Sequence, residues 1–321
     1  MIEPIIDTPL LQRLLALWLV MLVESVWHWP AQYHPLLLFR ALAQRMAAKV
    51  NPKGDRAQSQ RLISGTLAPL VLLLPLAVCI GIFTSFAEYP VFFDALLLLA
   101  ALDYTNTKRR ARRVYQALQQ NKKVLARDTA QRLLLRETQP LSVMGLSKAM
   151  IETSLLRYVT HYWTVLFVFL IGGGLAAFCF RVLAEFAQIW NTKLPHCRDF
   201  GRPVALLIST VTFIPARVAM FMIMLIQGTR PALKALRKLP QSKTPSLSLL
   251  AATGGSLGIV LGGPALYQGQ KRRLPRCGGS RDPVPEDIPR LLRLLNYLSI
   301  GFLTLTLLLF AIVFALTTGR L

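Results

Sequence analysis

Cysteine is scarce and scattered in this chain. The four cysteines, Cys79, Cys179, Cys197 and Cys277, show no CxxC spacing, and Cys79 and Cys179 lie inside apolar runs. That pattern argues against a disulfide framework and against a zinc site. Acidic residues are few, 15 Asp plus Glu against 37 Lys plus Arg, for a net charge of +22. Glycine-rich stretches have neither the Walker-A nor the dinucleotide-binding spacing. No basic segment precedes the first apolar run, which follows Glu3 and Asp7 instead, so that run reads as a retained helix rather than a secretory signal. Internal repeats and long low-complexity tracts are missing as well.

Apolar residues are abundant, at 54% of the chain with a mean hydropathy of +0.46. Globular domains hold about 45–50%. The excess is gathered into runs, several of which approach the roughly 20 helical residues that cross a hydrocarbon core of about 30 Å. The sequence therefore predicts an all-α, polytopic integral membrane protein with about five to six transmembrane helices and basic cytoplasmic loops. The chain reads as one membrane domain over residues 1–321, with spans near 10–29, 62–87, 91–104, 155–182, 203–226 and 297–317.

The first span carries Arg13 and Glu24, and a helix lying at the interface is its alternative reading. The second contains Pro69 and Pro75, tolerable where neighbouring helices satisfy freed carbonyls. The third has a short apolar run, Val91–Leu102, that returns the chain only with Asp94, Asp103 and Tyr104 included. The fourth holds Gly172-Gly173-Gly174, which permits close helix approach or a kink. The fifth is interrupted by Ile214-Pro215-Ala216-Arg217. Loops 30–61, 104–154 and 227–294 carry the Lys and Arg excess, including Arg40, Lys49, Lys53 and Arg56, and are expected in the cytoplasm because such loops resist translocation. Six crossings then leave both termini outside. This accounts for the positive charge without a nucleic-acid partner, and it leaves room for anionic lipid headgroups or a phosphorylated, carboxylate-rich substrate.

Within the second basic loop, Lys108–Arg136 reads as one long helix whose Val114, Leu118, Leu125 and Leu133 suggest a face resting on protein or membrane, a solvated helix being the alternative. Residues 227–294 form a cytoplasmic segment rich in Gly and Arg. Gly262 and Gly263 free the backbone to approach a ligand, and Lys271, Arg276 and Arg281 suit anionic oxygens. An anion cradle and a flexible loop are both compatible with that composition. Arg217, midway along an apolar span, is read as facing a partner or cavity, with a structural ion pair as the alternative. His34 beside Pro35 is a proton-shuttle candidate or an interfacial turn residue. Glu152 reads as a catalytic carboxylate or a helix-start charge, and Arg181 and Glu185, four residues apart, as a simple pair.

Several ordered motifs carry a family resemblance. LGGPALYQG followed by RDPVPEDI resembles the C-terminal signature of the CobD/CbiB family of cobalamin-biosynthesis membrane proteins. Tyr33-His34-Pro35 resembles the family's early His-Pro segment, Arg136-Glu137-Thr138 its Arg-Asp-Thr site, and Glu152 its isoleucine-glutamate step. Arg198-Asp199-Phe200-Gly201 and Pro215-Ala216-Arg217 match two further motifs. The resemblance covers roughly residues 20–295. It implies a bacterial inner-membrane enzyme that joins an amino-alcohol phosphate, aminopropanol phosphate, to the corrinoid adenosylcobyric acid, giving adenosylcobinamide phosphate. ATP and Mg²⁺ are implied, since an amide needs an activated acyl group, and other cobalamin-pathway membrane proteins are implied partners.

By the same resemblance, Glu152, Asp199 and His34 are the catalytic candidates. Arg136, Arg198, Arg217, Gly262, Gly263, Lys271, Arg281, Glu286 and Asp287 are the substrate- or phosphate-binding ones, and no metal ligand is assigned. The chain departs from the family where Leu156, Arg157, Thr160, Ala184–Ala187, Ile208 and Ser209 replace polar or acidic positions. Two alternatives stay open on that account: a non-catalytic family relative, and a regulatory membrane protein like AmpE, which the stretch around Phe167 and Phe180–Trp190 also resembles.

Overall fold

A computed structural model describes residues 8–27, 29–30, 32–52, 57–240 and 244–317. Glu3, Asp7, Lys53 and Arg56 lie outside these. The elements are α1 (Pro9–Val26), α2 (Leu36–Val50), α3 (Gln58–Ser85), α4 (Pro90–Ala101), α5 (Tyr104–Gln119), α6 (Lys123–Gln131), α7 (Val143–Tyr158), α8 (Thr164–Ile189), α9 (Arg202–Gln227), α10 (Thr229–Arg237) and α11 (Pro245–Leu257). Four short strands follow, β1 (Val260–Leu261), β2 (Pro264–Tyr267), β3 (Gln270–Arg273) and β4 (Cys277–Gly278), and then α12 (Asp287–Thr317). A π-helical turn, Val159–Trp163, joins α7 to α8. The protein is all-α apart from the strands. Among the described residues, five helices are long and apolar enough to cross a membrane: α1, α3, the α7–α8 run, α9 and α12. The short α4, of 12 residues, spans only about 18 Å.

The chain forms two compact units. The first comprises residues 1–103, 161–210 and 301–321, the second residues 104–160 and 211–300.

In the first unit, Pro9 starts α1 at the position where a missing N–H costs nothing. Leu11, Leu14 and Leu17, three apart, form its fully buried stripe. The 155–182 stretch, read from sequence as one crossing, breaks inside α8 at Gly173, with φ 74° and ψ −170°. His161 and Glu185 would be about 36 Å apart on a straight helix, yet they lie within Coulombic range of each other, so the chain doubles back. The break is satisfied locally. Arg13 donates to the Ile171 carbonyl at 3.3 Å, and the Gly174 N–H donates to Asp94 at 2.9 Å. A Cβ at Gly174 would stand 2.5 Å from the Asp94 carbonyl oxygen, so α4 packs here only against glycine. Hydropathy alone does not register such a reversal, because the residues on either side of the break, Val165–Ile171 and Leu175–Phe180, are both apolar.

In the second unit, Tyr104, Thr107, Ala111, Val114 and Leu118 make the buried stripe of α5. The expected single helix over Lys108–Arg136 ends early. Asn121, at φ 55°, lets the Lys122 N–H reach the Ala117 carbonyl and its own N–H reach Leu118, a Schellman stop. As a result Leu133 is buried while Leu125 is exposed. Gly258 ends α11 the same way, its neighbour Ile259 donating to Gly254. Two antiparallel pairs follow, β1 with β4 and β2 with β3. The β2–β3 turn, Gln268-Gly269, has positive φ at both residues, the twist that suits a two-residue hairpin.

Candidate functional site

Glu152 is the centre of the second unit's polar cluster. It sits on α7, whose N-cap Ser142 accepts from the Gly145 N–H at 3.1 Å, and it is 3% exposed. One carboxylate oxygen pairs with Arg136 and the other accepts the Gly262 N–H at 2.6 Å. A buried carboxylate persists when paired and hydrogen-bonded in this way. The neighbouring Glu137 fastens the hairpin: its N–H donates to Leu266 at 3.0 Å and its carboxylate accepts the Gly269 N–H at 2.7 Å. Residues 136–137, Glu152 and Gly262 are thus one assembly.

The glycines act differently from the expectation that they would offer N–H donors to a ligand. The Gly262 N–H is engaged by Glu152, and the Gly263 N–H donates to the Leu274 carbonyl at 3.1 Å. What they contribute is conformation and space. Both have positive φ, 75° and 95°, and a Cβ at Gly262 would overlap the Pro275 carbonyl. A Cβ at Gly263 would stand 3.3 Å from the Lys148 ammonium and 3.9 Å from Arg276 Nε. Lys148 lies one turn before Glu152 on α7, half-buried, and was not among the residues singled out from sequence. Its only local signal is the four-residue spacing to Glu152.

The other candidates in this unit fall outside the cluster. Arg281 makes a two-pronged pair with the fully buried Asp287, at 2.9 and 2.8 Å, and the Val284 N–H and Arg290 also donate to Asp287. This clasp closes the turn that starts α12. Glu286 accepts from Gln119 at 2.5 Å on the surface. Lys271 is exposed on β3. Arg217 is exposed on α9 and lies over the Phe213 ring at 3.8 Å, a cation–π contact.

The first unit holds His34, Arg198 and Asp199. His34 is buried, its Nδ1 accepting from the Leu36 N–H at 3.3 Å, which makes Nε2 the donor to the Leu102 carbonyl at 3.2 Å. Burial lowers its pKa, against the pull of nearby Asp103 and the Leu102 carbonyl. Arg198 is exposed, and Asp199 accepts a long 3.4 Å bond from Gln58. A second ionic cluster in this unit had no counterpart in the sequence reading beyond the Arg181–Glu185 pair. Glu185, 1% exposed, is gripped by Arg40 at 2.7 and 2.9 Å and by Arg181 at 2.6 Å, with Asp103 3.5 Å from Arg40.

Among the described residues, no group of three or more His, Cys, Asp or Glu is placed to hold a metal ion. Glu152 has both oxygens engaged. The residues present therefore do not fit a protein-built Mg²⁺ cage, whereas the surrounding cations fit phosphate oxygens.

These features define a polytopic, helical membrane protein with a carboxylate–arginine centre built around a glycine-rich hairpin. Comparison with known proteins narrows the class: the family model described as CobD/Cbib protein matches residues 14–295, so the chain belongs to the CobD/CbiB family. It is 26% identical over 282 residues to the cobalamin biosynthesis protein CobD of Chromobacterium violaceum, covering 87% of this chain and 90% of that one. CobD of Stutzerimonas stutzeri is 26% identical, over 85% and 90% of the two chains. The cobalamin biosynthesis protein CbiB of Salmonella choleraesuis is 24% identical, over 84% and 87%. No solved structure matches.

Proposed function

We propose that this chain acts in cobalamin biosynthesis in the bacterial inner membrane as an adenosylcobinamide-phosphate synthase. It joins the amine of an amino-alcohol phosphate such as aminopropanol phosphate to a propionate carboxylate of adenosylcobyric acid. The observation that carries this reading is the near full-length family match together with a polar centre assembled from the family's own motifs, Arg136, Glu152 and Gly262. Both substrates are anionic, and ATP, the expected source of acyl activation, is as well. A basic centre raises their local concentration. Glu152 serves here by holding Arg136 and the glycine backbone in register. The same observation favours a cobalamin role over an AmpE-like one.

One structural fact supports a second reading, a family member that assists the pathway without catalysing the step. Both oxygens of Glu152 are engaged, and Leu156, Arg157 and Thr160 stand where the family resemblance implies polar or acidic groups. Complementation separates the two. A bacterium lacking its own synthase and fed cobyric acid grows with this gene under the synthase reading. Failure to grow, with the protein present in the membrane at normal level, favours the assisting role.

A further inference from the structure

Two cations flank Gly263 in the second unit, Lys148 and Arg276, and the charge of a third, Arg136, acts on Lys148. Arg136 is neutralised by Glu152. Lys148 feels the charges of Glu152, Arg276, Arg136 and Asp282, yet among the described residues neither it nor Arg276 has a carboxylate within ion-pair distance. Two unpaired positive groups side by side, one of them half-buried, repel each other and lose hydration. Such an arrangement is stabilised when an anion bridges it. The two groups converge on one point beside the backbone. Gly263 presents no side chain between them, and a Cβ there would already lie 3.3 Å from Lys148 Nζ and 3.7 Å from Arg276 Cγ. Arg276 is exposed, which opens the place to solvent.

We propose that Lys148 and Arg276, meeting over the bare backbone of Gly263, form a subsite for a phosphoryl group. The subsite uses side chains alone, because the N–H groups of Gly262 and Gly263 are engaged elsewhere. Arg281 is excluded from it, being clasped to Asp287. The identity of the ligand rests on the synthase reading: the phosphoryl group belongs to the amino-alcohol phosphate or to ATP.

The test uses the full-length protein in nanodiscs, titrated calorimetrically with aminopropanol phosphate, unphosphorylated aminopropanol, ATP and pyrophosphate. Lys148→Met, Lys148→Arg, Arg276→Ala and the distant surface control Lys123→Ala are compared with wild type. Lys148→Met and Arg276→Ala should each weaken a phosphorylated ligand about ten- to a hundredfold, the loss of one charge-assisted hydrogen bond. Unphosphorylated aminopropanol should be unaffected, the melting temperature unchanged, and Lys148→Arg should recover part of the loss. Whichever phosphorylated compound responds identifies the source of the phosphoryl group. If both variants bind aminopropanol phosphate and ATP as wild type does, the subsite is wrong and the synthase reading stands. If only pyrophosphate binds, and does so through Lys148, the subsite stands and the synthase reading falls. If wild type binds no phosphorylated compound, both fall.

Discussion

At the scale of single residues, Glu152 and Arg136 hold each other, and removing one leaves the other buried and charged. Glu152→Gln should cost roughly 3 kcal/mol of stability, the usual penalty for breaking a buried pair. Glu152→Met combined with Arg136→Met should regain most of that in a thermal melt without restoring complementation. A double variant as unstable as the single one would show that the pair is not what Glu152 contributes. His34 gives a pH signature. Its folded pKa lies below the ordinary value of 6.5, so the unfolded chain takes up the proton first as pH falls. Stability from this residue is complete above about 6.5 and declines as pH drops toward the folded pKa. The melting temperature should therefore fall between pH 7 and pH 5, and His34→Gln should flatten that slope. An unchanged slope would remove His34 as its cause.

Among the elements, the β2–β3 hairpin separates two kinds of glycine. Gly269 has φ 76° and nothing within 4 Å of a would-be Cβ, so Gly269→Ala should cost only about 1–2 kcal/mol of left-handed strain. Gly262 has the same φ sign and also abuts the Pro275 carbonyl. Gly262→Ala should be the more damaging, displacing the N–H that holds Glu152. Equal melting temperatures for the two would mean the backbone yields at Gly262. The turn was not legible: Gln268-Gly269, between ALY and QKRR, is not one of the Asn-Gly or Asp-Gly pairs that mark a two-residue hairpin, and the surrounding glycines and arginines read as an anion cradle or a flexible loop. The apolar helices and basic loops were legible because each needs only a long run of one residue type. Gly173 was legible as a possible kink, but a glycine triplet does not say how far the chain turns. Arg40 and Glu185 meet across 145 residues, and no local pattern announces that pair. Lys148 looked like any helical lysine until the fold set it against Gly263.

For the whole molecule, each unit fixes which segments share a side of the membrane. Asn51 donates to the His196 carbonyl at 2.8 Å, so the C-terminal end of α2 and the segment after α8 lie together. Residues 104–160 and 211–300 belong to one compact unit. Reporter fusions after Lys49 and Lys193 should therefore agree with each other, as should fusions after Lys123 and Lys238. The Lys and Arg excess assigns Lys49, Lys123 and Lys238 to the cytoplasm, and the Asn51–His196 contact sets Lys193 beside Lys49, where six unbroken crossings would have put it outside. Opposite signals from Lys49 and Lys193 would overturn the reversal at Gly173.

The excursion between α11 and α12 departs and returns at one place. Gly258 accepts from the Arg281 N–H at 3.2 Å, and Val260 donates back to the Arg281 carbonyl at 2.8 Å. A loop whose two ends already touch can be cut out and exchanged with little strain on its host. Residues 259–280 thus constitute a cassette, and chimaeras that exchange it between family members should fold where the donor keeps a glycine at 262, whose N–H holds Glu152.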